Sequence, residues 1–383
     1  MKKIFVFIIS MFLLLPSINA EEVKTNTLAP NAKSAILIEA TTGEILYEFN
    51  SHEKLAPASM TKMMSLLIIM ESIDAGVINY DDMITVSSNA SSMGGSQILL
   101  ETGEQMSVED LLKGIAVASG NDAVVALAEA IAGTEENFVN MMNERANEIG
   151  LTDTNFKNCH GLDEENHYSS AYDMALIAKE LVEHDKILEF SSIYETYLRQ
   201  GTDRQTWLVN TNKLVRFKSG VDGLKTGYTD NSGYCLTATM KKDNMRIIAV
   251  AMGEPDSTTR NNEVSGMLDY AFAQYSLKNV LSKTVKVKDV KLTKSKQESI
   301  ALVPMEDVNL IYKKIDKVPN PTYKIEVDEM QSEIKKGEVV GKIKVYNNDK
   351  LIDEVNLTVN EDVKKLNIFE LFIKYLKEII IGI

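Results

Sequence analysis

The stretch PASMTKMM (Pro57–Met64), followed at once by SLLIIM (Ser65–Met70), sets a serine and a lysine three residues apart at the head of an apolar run. The spacing S-x-x-K alone decides nothing. It occurs at Ser51/Lys54, Ser59/Lys62 and Ser332/Lys335, as chance allows in a chain rich in both residues, so context has to choose. Ser51 lies in EFNSHEKLAP, a polar turn after a strand, and Ser332 in QSEIKKGE, another turn. Only Ser59 has a helical setting, with Pro57 suited to the approach. Residues i and i+3 of a helix share a face, about 5–6 Å apart at Cβ, so Ser59 Oγ and Lys62 Nζ can meet. The positive end of the helix dipole and burial both favour a neutral lysine, and a neutral lysine can serve a serine as general base. Backbone N–H groups at the helix start can also receive an oxyanion. Ser59 and Lys62 are therefore the candidate nucleophile and base. A Ser-His-Asp arrangement is the rival. It lacks a G-x-S-x-G elbow, and His52, His160, His167 and His184 fall in a turn, two loops and a helix end.

The surrounding chain has 383 residues, 44% hydrophobic and 25% charged. That is a globular balance with length for two domains. Residues 1–20 stand apart. Lys2 and Lys3 precede an apolar core, Ile4–Leu15, and Ile18-Asn19-Ala20 closes it. This is the pattern of a secretory signal peptide, the core being short for a transmembrane anchor. The formal charge is −14, and removing the leader takes two lysines and no acid. So acidic a protein repels nucleic acid. Cys159 and Cys235 can pair in an exported chain but make no disulfide framework. His160 adjoins Cys159, yet adjacent residues on a strand point to opposite faces, so no metal site is expected.

Residues 21–278 mix helical and strand patterns. Helices are expected over Ser59–Ala75, Val108–Ala132, Thr134–Ile149 and Ala171–His184, with Ser107 and Asp110 at capping-box spacing. Strands are expected at Ser34–Glu39 and Glu44–Glu48, then at Leu224–Tyr228, Gly233–Lys241 and Met245–Met252. Together they predict an α/β domain, an antiparallel sheet with helices on its faces. Residues 279–362 change texture to short alternating runs, KTVKVKDVKL to IDEVNLTV, which predict a small all-β sandwich without a catalytic constellation. Residues 363–383 end in LNIFELFIKYLKEIIIGI. On a helical wheel Asn367, Glu370, Lys374, Lys377 and Glu378 fall within about one third of a turn. Four charges argue against a membrane span, and a helix lying in the membrane interface is expected. The alternative is a helix docked on the protein's own core.

Two further motifs follow the serine in order. SGND (Ser119–Asp122) stands within the alanine-rich stretch, and KTGYT (Lys225–Thr229) at a strand. S-x-x-K, S-x-N and K-T-G in this order form the set of penicillin-recognising serine enzymes. The chain resembles the low-molecular-mass penicillin-binding proteins, the D-alanyl-D-alanine carboxypeptidase family. LAPASMTKMM, VASGNDA, HGLDEENHYSSAYDMA, GVDGLKTGYTDNSGYCL and the MGE segment ending in Arg260 carry the likeness. The resemblance implies a penicillin-binding, β-lactamase-like fold with a helical subdomain, a trailing β-domain and an amphipathic tail. It implies that Ser59 is acylated and Lys62 deprotonates it, while Ser119 and Asn121 relay protons and position Lys62 and the substrate amide. Lys225, Thr226 and Arg260 would hold the substrate's terminal carboxylate, and the N–H groups of Ser59 and Tyr228 would form the oxyanion hole. Tyr228 stands where some relatives carry His, and the NTNKL segment (Asn210–Leu214) where some carry Arg.

The implied chemistry is coherent. A lysine and an arginine can hold a free carboxylate, and Gly227 lets a substrate backbone approach its strand. Acyl transfer to water needs neither metal nor cofactor. The expected partners are the peptidoglycan stem peptide ending in D-Ala-D-Ala, β-lactams as covalent inhibitors, and a membrane surface met by residues 363–383. The expected place is the outer face of the cytoplasmic membrane. Two alternatives are a serine β-lactamase of the same fold and a non-catalytic scaffold that binds cell-wall peptide. For the former, Glu164 and Glu165 are the carboxylates between the motifs.

Overall fold

The computed structural model describes residues 28–381. The leader read at 1–20 and the last two residues of the tail lie outside the described residues. Strands β1 (Ser34–Glu39) and β2 (Ile45–Phe49) form the expected hairpin, and a 3-10 turn, Ala58–Thr61, leads into α1 (Lys62–Asp74). Next come β3 (Met83–Thr85), α2 (Ser88–Ser91), β4 (Gln105–Ser107), α3 (Val108–Ala118), α4 (Asn121–Ala132) and α5 (Glu135–Ile149). After α6 (Ala171–Leu181) and α7 (Asp185–Ser191), a hairpin of β5 (Glu195–Leu198) and β6 (Thr206–Val209) precedes α8 (Leu214–Phe217). The meander β7 (Val221–Thr229), β8 (Gly233–Lys242) and β9 (Met245–Glu254) then runs into α9 (Ser257–Gln274). The rest comprises β10 (Tyr275–Leu281), β11 (Lys288–Lys291), β12 (Ser299–Pro304), β13 (Val308–Lys313), β14 (Thr322–Val327), β15 (Gly341–Asn347), β16 (Lys350–Val359) and α10 (Ile368–Ile381).

The main sheet is antiparallel in the order β2-β1-β9-β8-β7, so the N-terminal hairpin joins the late meander. Both faces are covered. Ile36, Ile38, Ile248, Val250 and Met252 pack against α6 on one side and share their core with α1 and α4. Ala35, Leu37, Ile247, Ala249 and Ala251 meet Val264, Met267, Leu268 and Ala271 of α9 on the other. Successive side chains on a strand point to opposite faces, so two apolar layers leave no polar side, and β1 is buried throughout. α1 is apolar nearly all round because it runs through the core.

One expected helix is two. The stretch Val108–Ala132 breaks at Ser119, which takes the left-handed conformation (φ 63°, ψ 31°). Ser119 N bonds Ile115 O, the single bond of a left-handed helix end, and Gly120 N bonds Gly114 O. The left-handed residue is the serine, not the glycine beside it, at a cost of roughly 1–2 kcal/mol. Ser107 Oγ does cap α3 by accepting Asp110 N at 3.2 Å. Past α9, the sheet β11-β12-β16-β15-β14 and the pair β10-β13 enclose their own core around Leu302, Ile343, Val345 and Leu357.

Candidate active site

Ser59 lies in the 3-10 turn and Lys62 opens α1. In a 3-10 turn, residues i and i+3 eclipse, and Lys62 Nζ stands 3.0 Å from Ser59 Oγ. Lys62 is fully buried. Its second contact is the backbone O of His160, at 2.6 Å. Burial brings its pKa down to about 7, against the opposing pull of Cys159 and Asp122. The ammonium cannot hydrate there, so the neutral amine that a general base requires is populated near neutrality. The other two serines are structural: Ser51 Oγ donates to Glu48 at 2.8 Å, and the Ser332 carbonyl accepts Ser295 Oγ.

The loop behind the nucleophile is close-packed. A Cβ on Gly161 would stand 1.9 Å from Ala58 O, so only glycine lets this loop touch the Ser59 turn. His160 is neutral, pushed to about 4 first by burial and then by the charge of Lys62. Glu164 accepts Asn158 Nδ2 at 3.2 Å and so braces the same loop. Cys159 and Cys235 are both free and buried.

The helix break leaves two polar side-chain atoms without partners among the described residues. Ser119 and Asn121 are buried, and Ser119 Oγ and Asn121 Oδ1 have no hydrogen-bond partner among the described residues. Asn121 Nδ2 is spent on Gly94 O at 2.7 Å. Two orphaned buried polar atoms mark a place that a polar substrate would satisfy.

Strand β7 supplies the opposite wall. Lys225 is buried, with Nζ donating to Thr226 O at 3.1 Å. Its pKa lies well below the usual lysine value, first through burial and then through the charges of Lys62 and Arg260. Arg260 reaches in from α9 and donates to Asn261 Oδ1 and Cys235 O. Glu254 nearby is pushed up to about 8 by burial and by Glu263, so it leaves the Arg260 charge uncancelled at neutral pH. Among the described residues none of Lys62, Lys225 and Arg260 has a carboxylate in ion-pair contact. An anion is the complement such a cluster lacks.

Gly227 differs from expectation. The missing side chain makes room for the nucleophile turn, since a Cβ there would lie 2.8 Å from Pro57 O and 3.1 Å from Ala58 Cβ. Tyr228, half exposed, stacks on Tyr234 at 4.3 Å and donates to Asp230 at 2.8 Å, so its ring belongs to the rim. Three contributors escape sequence reading: the His160 carbonyl, Gly161, and Thr211, whose Oγ1 accepts Thr226 Oγ1 at 2.7 Å. The NTNKL segment was the available signal for the last.

Residues 20–256 match the D-alanyl-D-alanine carboxypeptidase family, and residues 275–365 match the penicillin-binding protein 5 C-terminal domain. The chain is 49% identical over 355 residues to D-alanyl-D-alanine carboxypeptidase DacF of Bacillus subtilis (strain 168), covering 92% of this chain and 90% of that one. Penicillin-binding protein 5 from Haemophilus influenzae superposes with a TM-score of 0.73 at 33% identity, over 88% of this chain and 98% of that one. Penicillin-binding protein D2 from Listeria monocytogenes, solved in an ampicillin-bound form, gives 0.57 at 27% identity, over 63% and 98%. With the three motifs gathered around one buried lysine, and the match running through both parts of the molecule, the chain belongs to the D-alanyl-D-alanine carboxypeptidase family.

Proposed function

We propose that the protein is a serine D-alanyl-D-alanine carboxypeptidase that trims the terminal D-alanine from peptidoglycan stem peptides. The contact between Ser59 Oγ and buried Lys62 Nζ carries the reading. Lys62 takes the hydroxyl proton as Oγ attacks the carbonyl of the penultimate residue. The N–H groups of Ser59 and Tyr228 receive the oxyanion. The peptide bond then breaks, and the departing amine leaves with a proton delivered through Lys62 and Ser119. Water then hydrolyses the Ser59 ester: Lys62 takes a proton from the attacking water and passes it to Ser59 Oγ as the shortened peptide leaves, which restores the starting serine and the neutral lysine. Asn121 orients Lys62 and the substrate amide. Lys225, Thr226 and Arg260 hold the terminal carboxylate, which distinguishes a carboxypeptidase from an enzyme cutting within a chain. The reaction draws on side chains and water alone, without a metal.

β-Lactams would acylate the same serine, as the ampicillin-bound Listeria relative suggests by analogy. The enzyme would work outside the cytoplasm, held at the membrane surface by its C-terminal helix. The test is covalent labelling with a fluorescent penicillin, run beside a steady-state assay on a D-Ala-D-Ala peptide. Ser59→Ala should abolish both signals, and Ser51→Ala and Ser332→Ala neither. Labelling that survives Ser59→Ala removes the assignment. Rapid penicillin hydrolysis without peptide turnover would indicate a β-lactamase, and binding without turnover a scaffold.

A further inference from the structure

Asn121 takes its orientation from the loop Gly94–Glu101, whose anchor lies outside the three motifs. Asn121 N donates to Ser96 O, and Nδ2 to Gly94 O, each at 2.7 Å. The loop is held from two sides. Inside, the Asp122 carboxylate accepts Ile98 N at 3.1 Å and Leu100 N at 3.0 Å. Outside, Arg199 donates Nη1 to Ile98 O at 3.1 Å and Nη2 to Leu99 O at 3.3 Å, and Arg204 adds Nη2 to Leu99 O at 2.7 Å. Leu99 has φ 60°, a strained conformation that persists only where its surroundings dictate it.

Both guanidinium groups are themselves fixed. The two oxygens of Glu104 take Nε and Nη2 of Arg199, and Nη1 of Arg204 adds a contact at 3.0 Å. The Arg199 and Glu104 side chains are only 9% and 13% exposed, so salt screens their attraction weakly. Arg199 sits at the tip of the β5–β6 hairpin. Just past the end of β6, Thr211 N donates to Val117 O at 3.2 Å, and Thr211 Oγ1 accepts Thr226 Oγ1. One hairpin thus braces both the Asn121 loop and the carboxylate-side strand.

We propose that Arg199 is a positioning residue for acyl transfer, acting through the Ile98–Leu100 backbone on the Gly94 and Ser96 carbonyls that orient Asn121. The inference rests on the acyl-enzyme reading above. It concerns chemistry rather than substrate capture, because Asn121 is assigned to the reacting amide and Lys62, while Lys225 and Arg260 are assigned to the terminal carboxylate. A planar fork with five donors fits this task, whereas lysine offers a single point of charge.

The test uses the full chain, measuring kcat and KM on a D-Ala-D-Ala peptide and the rate of fluorescent-penicillin acylation. Arg199→Ala should lower kcat and acylation by roughly 10- to 100-fold, as expected when a reacting group drifts by about an ångström, with KM changed less than about threefold. In an Asn121→Ala background the same substitution should cost nothing further. Glu104→Gln should show a smaller loss of the same kind, and it keeps the test readable if Arg199→Ala fails to fold. Losses that multiply across the double mutant, or full activity in Glu104→Gln and any folded Arg199 variant, overturn the proposal. Labelling that still depends on Ser59 would then leave the acyl-enzyme reading intact.

Discussion

On the proposed mechanism, Lys62 concentrates the chemistry and the instability of the site in one side chain. Its folded pKa of about 7 lies below the lysine value of 10.5 because burial disfavours the ammonium. In the proposed mechanism the neutral amine is the base, so kcat/KM on a D-Ala-D-Ala peptide should rise with pH through about 7 and fall on the acid side. A profile flat from pH 6 to 8 would remove Lys62 from that role. Linkage fixes a second sign. Between the folded and unfolded pKa values the unfolded chain binds more protons, so this group makes stability increase with pH from about 7 to 10.5. Below that window both states are protonated and the whole cost is felt. Lys62→Met should therefore melt above the parent at pH 6–7, with the gap closing towards pH 10. The pairing of Ser59 with Lys62 was legible from spacing and apolar context. The 3-10 geometry that eclipses them was not, because it depends on Gly161 and Gly227 crowding the turn from distant segments.

Among elements, legibility followed burial pattern. β1 lies at its expected bounds, and β7, β8 and β9 extend theirs by a few residues, because their apolar runs are long. α9 went unread. Its buried stripe of Val264, Met267, Leu268 and Ala271 has helical spacing but is narrow, and the rest of the helix is polar. The β5–β6 hairpin also escaped, its four-residue strands being only partly buried. The break between α3 and α4 falls at Ser119-Gly120-Asn121, residues that suit a turn, but the alanine-rich helical pattern on both sides ran across it. On the proposed reading, this is where a demand of the site overrides the helix. The contact between β7 and the nucleophile turn makes a prediction at this scale. In Gly227→Ala the new methyl meets backbone at 2.8 Å, so strand or turn has to move. Penicillin acylation should slow by more than about tenfold, with a stability loss of about 1–3 kcal/mol. Gly266→Ala is the control, since nothing lies within 4 Å of its Cβ. It should leave acylation unchanged and raise stability by up to about 1 kcal/mol through helix propensity. Equal acylation rates in the two variants would show that the close approach at Gly227 does not shape the site.

At the scale of the molecule, a three-layered α/β fold is followed by a β-rich unit and then by α10, whose outer face no described residue covers. Asn367 and Glu370 cap the helix reciprocally, Asn367 N reaching Glu370 at 2.8 Å and Glu370 N reaching Asn367 at 2.9 Å. Two members of the polar arc face the protein: Glu370 meets Lys296 at 3.1 Å, and Lys374 donates to Thr293 O at 3.1 Å. Ile368 and Phe369 are 79% and 77% exposed, and Phe372, Ile379 and Ile380 lie open beside them. A helix docked on its own core would hide this face, so the exposure counts against that alternative. Nor is α10 a span. Its 14 described residues reach about 21 Å at 1.5 Å per residue, short of a hydrocarbon core of about 30 Å, and among the described residues no helix is long and apolar enough to cross a membrane. An apolar face turned outward suits burial at the acyl boundary, where each large side chain contributes about 1.5–3 kcal/mol when fully buried. Deleting residues 366–383 should therefore abolish sedimentation with lipid vesicles and release the expressed protein from the membrane. Because the deleted face touches neither core, the melting temperature and turnover of a small soluble D-Ala-D-Ala peptide should stay close to those of the full chain. Phe369→Glu combined with Phe372→Glu should release the protein without shortening it, since two charges on the apolar face oppose insertion while the cap at Asn367 remains. If both variants still sediment with vesicles, membrane attachment resides elsewhere in the chain. If the truncated chain loses its fold, α10 is a structural helix and its open face has another purpose.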